Sequence, residues 1–167
     1  MLFMGVDPGK KGAIATLDDA TSVVAFHKMP VTDHKDAKSE LDLQGLLDLF
    51  GFIKKQDPGV ICTIEKAQVY RGQGSVSNFT IGYGYGVLIA MLNAFKIKYD
   101  EVRPKAWQKI MFEGEPKADD PKITALAVAN RLFPKETFLA SKRCTTPHDG
   151  FVDALLVAEY TRRHYNE

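Results

Sequence analysis

The sequence predicts an α/β domain built on one mixed sheet, an antiparallel three-strand meander extended by parallel strands, with helices on both faces. Three observations carry this. Three short apolar runs separated by turn residues fill the first 26 positions, a further apolar run ends in Glu65, and segments with helical periodicity lie between and after the later runs. At 167 residues the chain can bury the core of one domain spanning 1–167 but hardly of two.

Taken in order, Leu2 to Val6 is a buried-strand pattern closed by the turn Asp7-Pro8-Gly9. Ala13–Leu17 and Val23–Phe26 follow, split by Asp18-Asp19-Ala20-Thr21-Ser22, whose small polar residues suit a hairpin. Between Glu40 and Ile53 the apolar positions recur at mostly helical spacing, and Asp57-Pro58-Gly59 breaks the chain. Val60–Ile64 is another buried strand, closed by Glu65. Phe79–Phe95 is apolar enough for a helix despite Gly82, Gly84 and Gly86, which indicate close backbone packing or an irregular first turn. Tyr99–Val102 predicts the last strand, and Arg103-Pro104 opens a short helix carrying Trp107. Asp120-Pro121 is an N-cap and N1 pair for a helix to Leu132, and a final helix starts near Thr146-Pro147 and runs to about His164.

Charge excludes little. The net +1 hides a basic middle: residues 96–143 hold eleven Lys/Arg against seven Asp/Glu. Carboxylates gathered elsewhere for metal would mask a basic binding face in the total, although a solvated mixed-charge surface explains the count equally well. No uninterrupted apolar run reaches the roughly 18 residues of a membrane span. Cys62 and Cys144 are far apart and belong to no zinc-type cluster, so a cytoplasmic chain with reduced thiols and no membrane partner is expected.

Chemistry is carried by carboxylates. In sheets of this kind sites form at the C-terminal ends of strands, and Asp7 and Glu65 each sit at one. Asp-Pro-Gly is also ordinary turn chemistry, and a strand-closing glutamate can simply be the first residue to meet water. Asp153 says more, because it interrupts Phe151-Val152-Asp153-Ala154-Leu155-Leu156, a helix apolar on nearly every side. A carboxylate there needs a cation, a hydrogen-bonding partner or a pocket. Asp149 lies one turn earlier on the same face; its plainer role is capping, at the third helical position after Thr146. An all-oxygen set of Asp7, Glu65, Asp149 and Asp153 suits Mg²⁺, with Mn²⁺ as substitute, rather than zinc. His148 is either a ligand or base beside the set or a structural histidine.

At this point the sequence resembles the RuvC family of Holliday-junction resolvases over nearly its whole length. Gly5-Val6-Asp7-Pro8-Gly9 is similar to that family's opening strand, Ile64-Glu65-Lys66 to its second acidic site, Tyr83–Ala94 to its central helix, and Val152-Asp153-Ala154-Leu155 to its terminal acidic helix. The resemblance implies a ribonuclease-H-like fold, Asp7, Glu65 and Asp153 as metal-binding catalytic carboxylates, cleavage of four-way DNA junctions, and a homodimer whose two-fold axis supplies two matched incisions. One position departs. The bacterial family usually places an acid or histidine three residues before the last aspartate, where this chain has Gly150, so Asp149 stands in as the fourth residue, with His148 a poorer fit. That departure suggests a divergent, phage-borne member.

For DNA, the segment after Glu65 offers Lys66, Tyr70 and Arg71: cations for phosphate and an aromatic to stack on an unpaired base, or else a solvated loop with its tyrosine tucked onto the core. Lys105, Lys109, Lys117 and Lys122 form a second basic group, with Lys122 near a helix N-terminus, and Trp107 is expected to anchor packing. A sugar-kinase-like ATPase shares the opening motif but needs a second domain for which there is no room. A ribonuclease acting on RNA–DNA hybrids and a non-catalytic junction-binding module remain the alternatives.

Overall fold

The computed structural model describes residues 1–32, 40–69, 72–116 and 118–166. Its main sheet has the strand order β3-β2-β1-β6-β7. Here β1 is Leu2–Asp7, β2 Ala13–Asp18, β3 Val24–Lys28, β6 Ile61–Glu65 and β7 Lys98–Val102. The first three strands form the expected antiparallel meander, and β6 and β7 extend it in parallel with β1. A two-stranded ribbon, β4 (Val31–Thr32) with β5 (Glu40–Leu41), sits outside the sheet.

The helices are α1 (Leu43–Gln56), α2 (Ser75–Ala94), α3 (Pro104–Met111), α4 (Pro121–Leu132) and α5 (Asp149–Asn166). Three helix starts differ from the sequence reading. α1 begins at Leu43 because the Asp42 side chain accepts from the Gly45 amide at 3.0 Å, while Glu40 and Leu41 pair as β5. α2 starts four residues before Phe79, so the glycines fall within the helix rather than in its first turn. α5 starts at Asp149, where the His148 carbonyl accepts from the Phe151 and Val152 amides, which makes Asp149 the first helical residue and not the third. α4 matches its cap signal: Asp120 accepts from the Lys122 amide at 2.9 Å and Pro121 occupies the first turn.

Strand alternation divides the apolar side chains into two cores. Met4, Val6, Ile14, Cys62 and Ile64 point to one face, under Leu46, Phe50 and Ile53 of α1 and Leu88 and Leu92 of α2. Ala13 and Ala15 point to the other, where Leu155 and Leu156 of α5 lie with Trp107, Met111, Val128 and Ala129 from α3 and α4. α5 is thus sandwiched, with the sheet on one side and α3 and α4 on the other. That is why its sequence is apolar nearly all round.

The seat of α5 on the sheet requires a glycine. A Cβ at Gly5 would collide with the Ala154 carbonyl oxygen and the Ala158 backbone nitrogen, so the helix backbone rests directly on the middle of β1. α2 is seated differently. It is long and apolar enough by composition to cross a membrane, yet few of its residues are buried: Val76 and Phe79 are 72% and 73% exposed, and nothing fills the space beside Gly82 or Gly86.

Because both obstructing atoms at Gly5 are backbone and cannot rotate away, Gly5→Ala is expected to cost about 3 kcal/mol or more, the upper end for overpacking, and to lower Tm by roughly 10 °C. A variant that melts near the wild-type temperature would mean that α5 does not bear on β1 at this point.

Candidate metal and nucleic-acid site

Asp7 and Glu65 arrive together because of register. Val6 lies opposite Ile64 in the parallel β1–β6 pair, so the next residue of each strand is a carboxylate at adjacent strand ends. Gly5 faces α5, and alternation turns Asp7 to the same side; Thr63, opposite Gly5, does the same for Glu65. α5 crosses that face, and its Asp153 precedes Ala154, the residue whose carbonyl touches Gly5.

Electrostatics records the convergence. Burial, then Asp153, then Glu65 push the Asp7 carboxyl well above the usual range. Burial, then Glu65 and Asp149 raise Asp153 to about 7, opposed by Lys122. Burial raises Glu65 too, opposed by the Trp107 indole N–H, which donates to Oε2 at 2.6 Å. The four acids expected from the sequence therefore occupy one neighbourhood. They are not drawn to ligand contact, for among the described residues no three His, Cys, Asp or Glu side chains meet at a common point. The donor chemistry nevertheless fits a divalent cation: oxygen acceptors only, three of them partly buried, held against their mutual repulsion.

Asp149 differs from the other three. It is exposed and ion-paired with Lys122 of α4, so Lys122 meets a carboxylate where a phosphate was expected. Gly150 could not have served in its place: a Cβ there would lie 2.8 Å from the Lys11 carbonyl oxygen and 2.9 Å from the Gly12 carbonyl carbon. His148 stacks on Phe151 at 4.5 Å, its Nδ1 is buried without a partner, and burial, then Lys28, lower its pKa. Its ring is packed against the first turns of α5.

Of the nucleic-acid candidates, Lys66 is exposed beside Glu65, 3.6 Å from Glu101. Lys105 and Lys109 lie on the exposed side of α3, away from buried Trp107. Tyr70, Arg71 and Lys117 lie outside the described residues. Two features were missed. Lys10, in the turn after Asp7, lines a cleft of about 620 Å³ together with Glu65, Lys66, Phe79, Tyr83 and Pro104. Trp107 packs as expected but also binds Glu65, 42 residues away, and no local pattern signals such a pairing.

A meander extended by two parallel strands, with acids at the ends of β1 and β6 and on the helix crossing them, defines the ribonuclease-H-like class. No family model and no curated protein matches the sequence. The fold, by contrast, is similar to solved structures. RuvC of T. thermophilus in complex with a Holliday junction substrate is similar over 99% of this chain and 94% of its own, with 13% identity and a TM-score of 0.60. Another Thermus thermophilus RuvC structure gives 10% identity, 99% and 97% coverage and a TM-score of 0.58. The yeast mitochondrial Holliday junction resolvase Ydc2 gives 14%, 96% and 77%, and 0.60. The chain has the fold of the RuvC-type resolvases.

The raised acids couple stability to pH. A carboxyl whose folded pKa lies above its unfolded value keeps its proton longer in the folded state, so the stability Asp153 contributes is fully present below about pH 4 and is lost as pH rises through 7. In metal-free buffer, Asp153→Asn should melt close to wild type near pH 4 and several degrees above it at pH 7.5. A Tm difference independent of pH would show that Asp153 is not ionised against its surroundings.

Proposed function

We propose that this chain is a Mg²⁺-dependent, structure-specific endonuclease, with Mn²⁺ as a substitute, that cleaves branched DNA and above all four-way junctions by paired incisions. The observation that carries the reading is geometric: the adjacent strand ends that bear Asp7 and Glu65 lie under α5, which bears Asp153 and, at its edge, Asp149, on a fold shared with the RuvC resolvases. One of those structures holds a Holliday junction substrate, which supports the choice of DNA. Divalent ions bound by these carboxylates would activate water and stabilise the leaving oxygen of a phosphodiester.

The chain's own residues supply the rest. Asp7 and Glu65 stand at rigid strand ends and Asp153 on a helix locked by packing, so the backbones that carry the acids are fixed before DNA arrives and only side-chain movements are left to bring them onto a cation. Lys66 and Lys10, which line the cleft next to Glu65, would hold phosphates, and Phe79 and Tyr83 give that cleft an aromatic wall. Paired incisions call for two sites, and we assign the second to another copy of the chain. The exposed positions of α2 outside that cleft, Val76 with Gly82 and Gly86, belong to the surface a homodimer would cover. The buried Cys62 and free Cys144 accord with a reducing cytoplasm.

Incubating the protein with labelled junction, duplex and RNA–DNA hybrid, with and without Mg²⁺, tests the reading: junction is cut, duplex and hybrid are not, and chelation stops the reaction. Asp7→Asn, Glu65→Gln and Asp153→Asn should each lower cleavage by about 100-fold or more while junction affinity holds, since the isosteres lose charge but keep shape. Asp149→Asn should follow them and His148→Ala should not. Preferential cutting of the hybrid, or full activity of any one isostere, would refute the corresponding assignment.

Replacing Lys105 and Lys109 together with alanine should flatten the slope of log affinity against log salt by up to about 2, because each phosphate contact releases a counterion. An unchanged slope would place that face of α3 away from DNA.

A further inference from the structure

Glu65 is gripped on two sides. The amide of the following residue, Lys66, donates to the Val102 carbonyl at 2.7 Å, which ties the end of β6 to the end of β7. Two residues after Val102 the chain turns at Pro104 into α3, and the first turn of that helix delivers Trp107, whose side chain is wholly buried. Phe112 meets the indole edge-on, with ring centroids 5.7 Å apart at 82°. Packed in this way, the ring donates its Nε1–H to Glu65 Oε2 at 2.6 Å. We propose that Trp107 is the positioning residue for Glu65: it fixes one carboxylate oxygen so that the other is held towards Asp7 and Asp153 for a divalent cation.

The choice of an indole has a chemical reason. Lysine or arginine at this place would orient Glu65 equally well but would cancel its charge and compete with the cation. An indole N–H donates one hydrogen bond and carries no charge, so it orients Glu65 without a positive charge that would compete with the cation. Packing alone does not account for the arrangement, since phenylalanine would fill an apolar slot without bringing a polar atom to a carboxylate. A group that holds a ligand's second atom typically changes metal affinity by about 10–100-fold when removed.

The inference rests on the metal-ligand reading of Glu65, and the test separates the two. Trp107 is the only tryptophan in the chain, so growth on the benzothiophene analogue of tryptophan, with sulfur in place of N–H, alters this site alone and keeps the ring's shape. Mn²⁺ binding by calorimetry is compared between wild-type and analogue proteins, alongside Trp107→Phe and the half-saturating Mg²⁺ concentration for junction cleavage. The expected result is an analogue protein that melts within a few degrees of wild type, binds Mn²⁺ about tenfold more weakly or worse, and recovers most of its cutting rate at saturating metal. Equal Mn²⁺ affinity in wild type and analogue would overturn the role of Trp107 and leave Glu65 as a ligand. No calorimetric binding by the wild type would overturn both. Should Trp107→Phe fail to fold, the isosteric analogue alone decides.

Discussion

The backbone of α5 resting on Gly5 is the contact on which the site depends. Two residues beyond Gly5 the strand ends in Asp7, and one residue before the touching carbonyl of Ala154 the helix carries Asp153. Any side chain between them would lift the helix and move Asp153 away from the strand ends. The burial of α5 between the sheet and α3 and α4 then locks what the glycine allows. Fold and site are set by one steric condition.

That condition has an electrostatic cost. Helix and sheet together remove Asp7, Glu65 and Asp153 from much of the solvent and bring them near each other, which raises all three above their ordinary range. Selection for stability alone would replace at least one of them. Local compensation is partial: Lys122 lowers Asp7 and Asp153 from a position at the rim, and the Trp107 N–H lowers Glu65 without neutralising it. The balance favours a protein that gains by binding positive charge, as functional sites commonly do at the expense of stability.

The sequence displayed most of the frame. Strand runs ending in acids are visible because a buried strand tolerates polarity only at its ends, and Asp153 is visible because an aspartate inside an apolar helix has no solvated face to occupy. The β4–β5 ribbon was not legible, since strands of two residues leave no periodicity to detect, and Glu40 and Leu41 passed as the start of a helix. The first turn of α5 was misplaced because Thr146-Pro147 looks like a cap and N1 pair, whereas the His148 carbonyl begins the helical bonding. Contacts distant in sequence, Trp107 with Glu65 and Lys122 with Asp149, depend on how α3 and α4 pack against α5, and single-residue patterns do not encode that.

The fourth acid shows how packing can relocate chemistry. Three residues before Asp153 the helix runs so close to the turn after β1 that Gly150 meets the Lys11 and Gly12 backbone, and a carboxylate-bearing side chain has no room there. The residue before it is the first of the helix, which points outward past that turn, and it is here that the chain carries Asp149. At the helix start its charge is favoured by the exposed amides of the first turn and by Lys122, which offsets the repulsion from Asp153 one turn further on. The same close approach that seats α5 over Asp7 and Glu65 therefore displaces the outermost carboxylate by one residue, and leaves it as the one acid of the group that faces solvent.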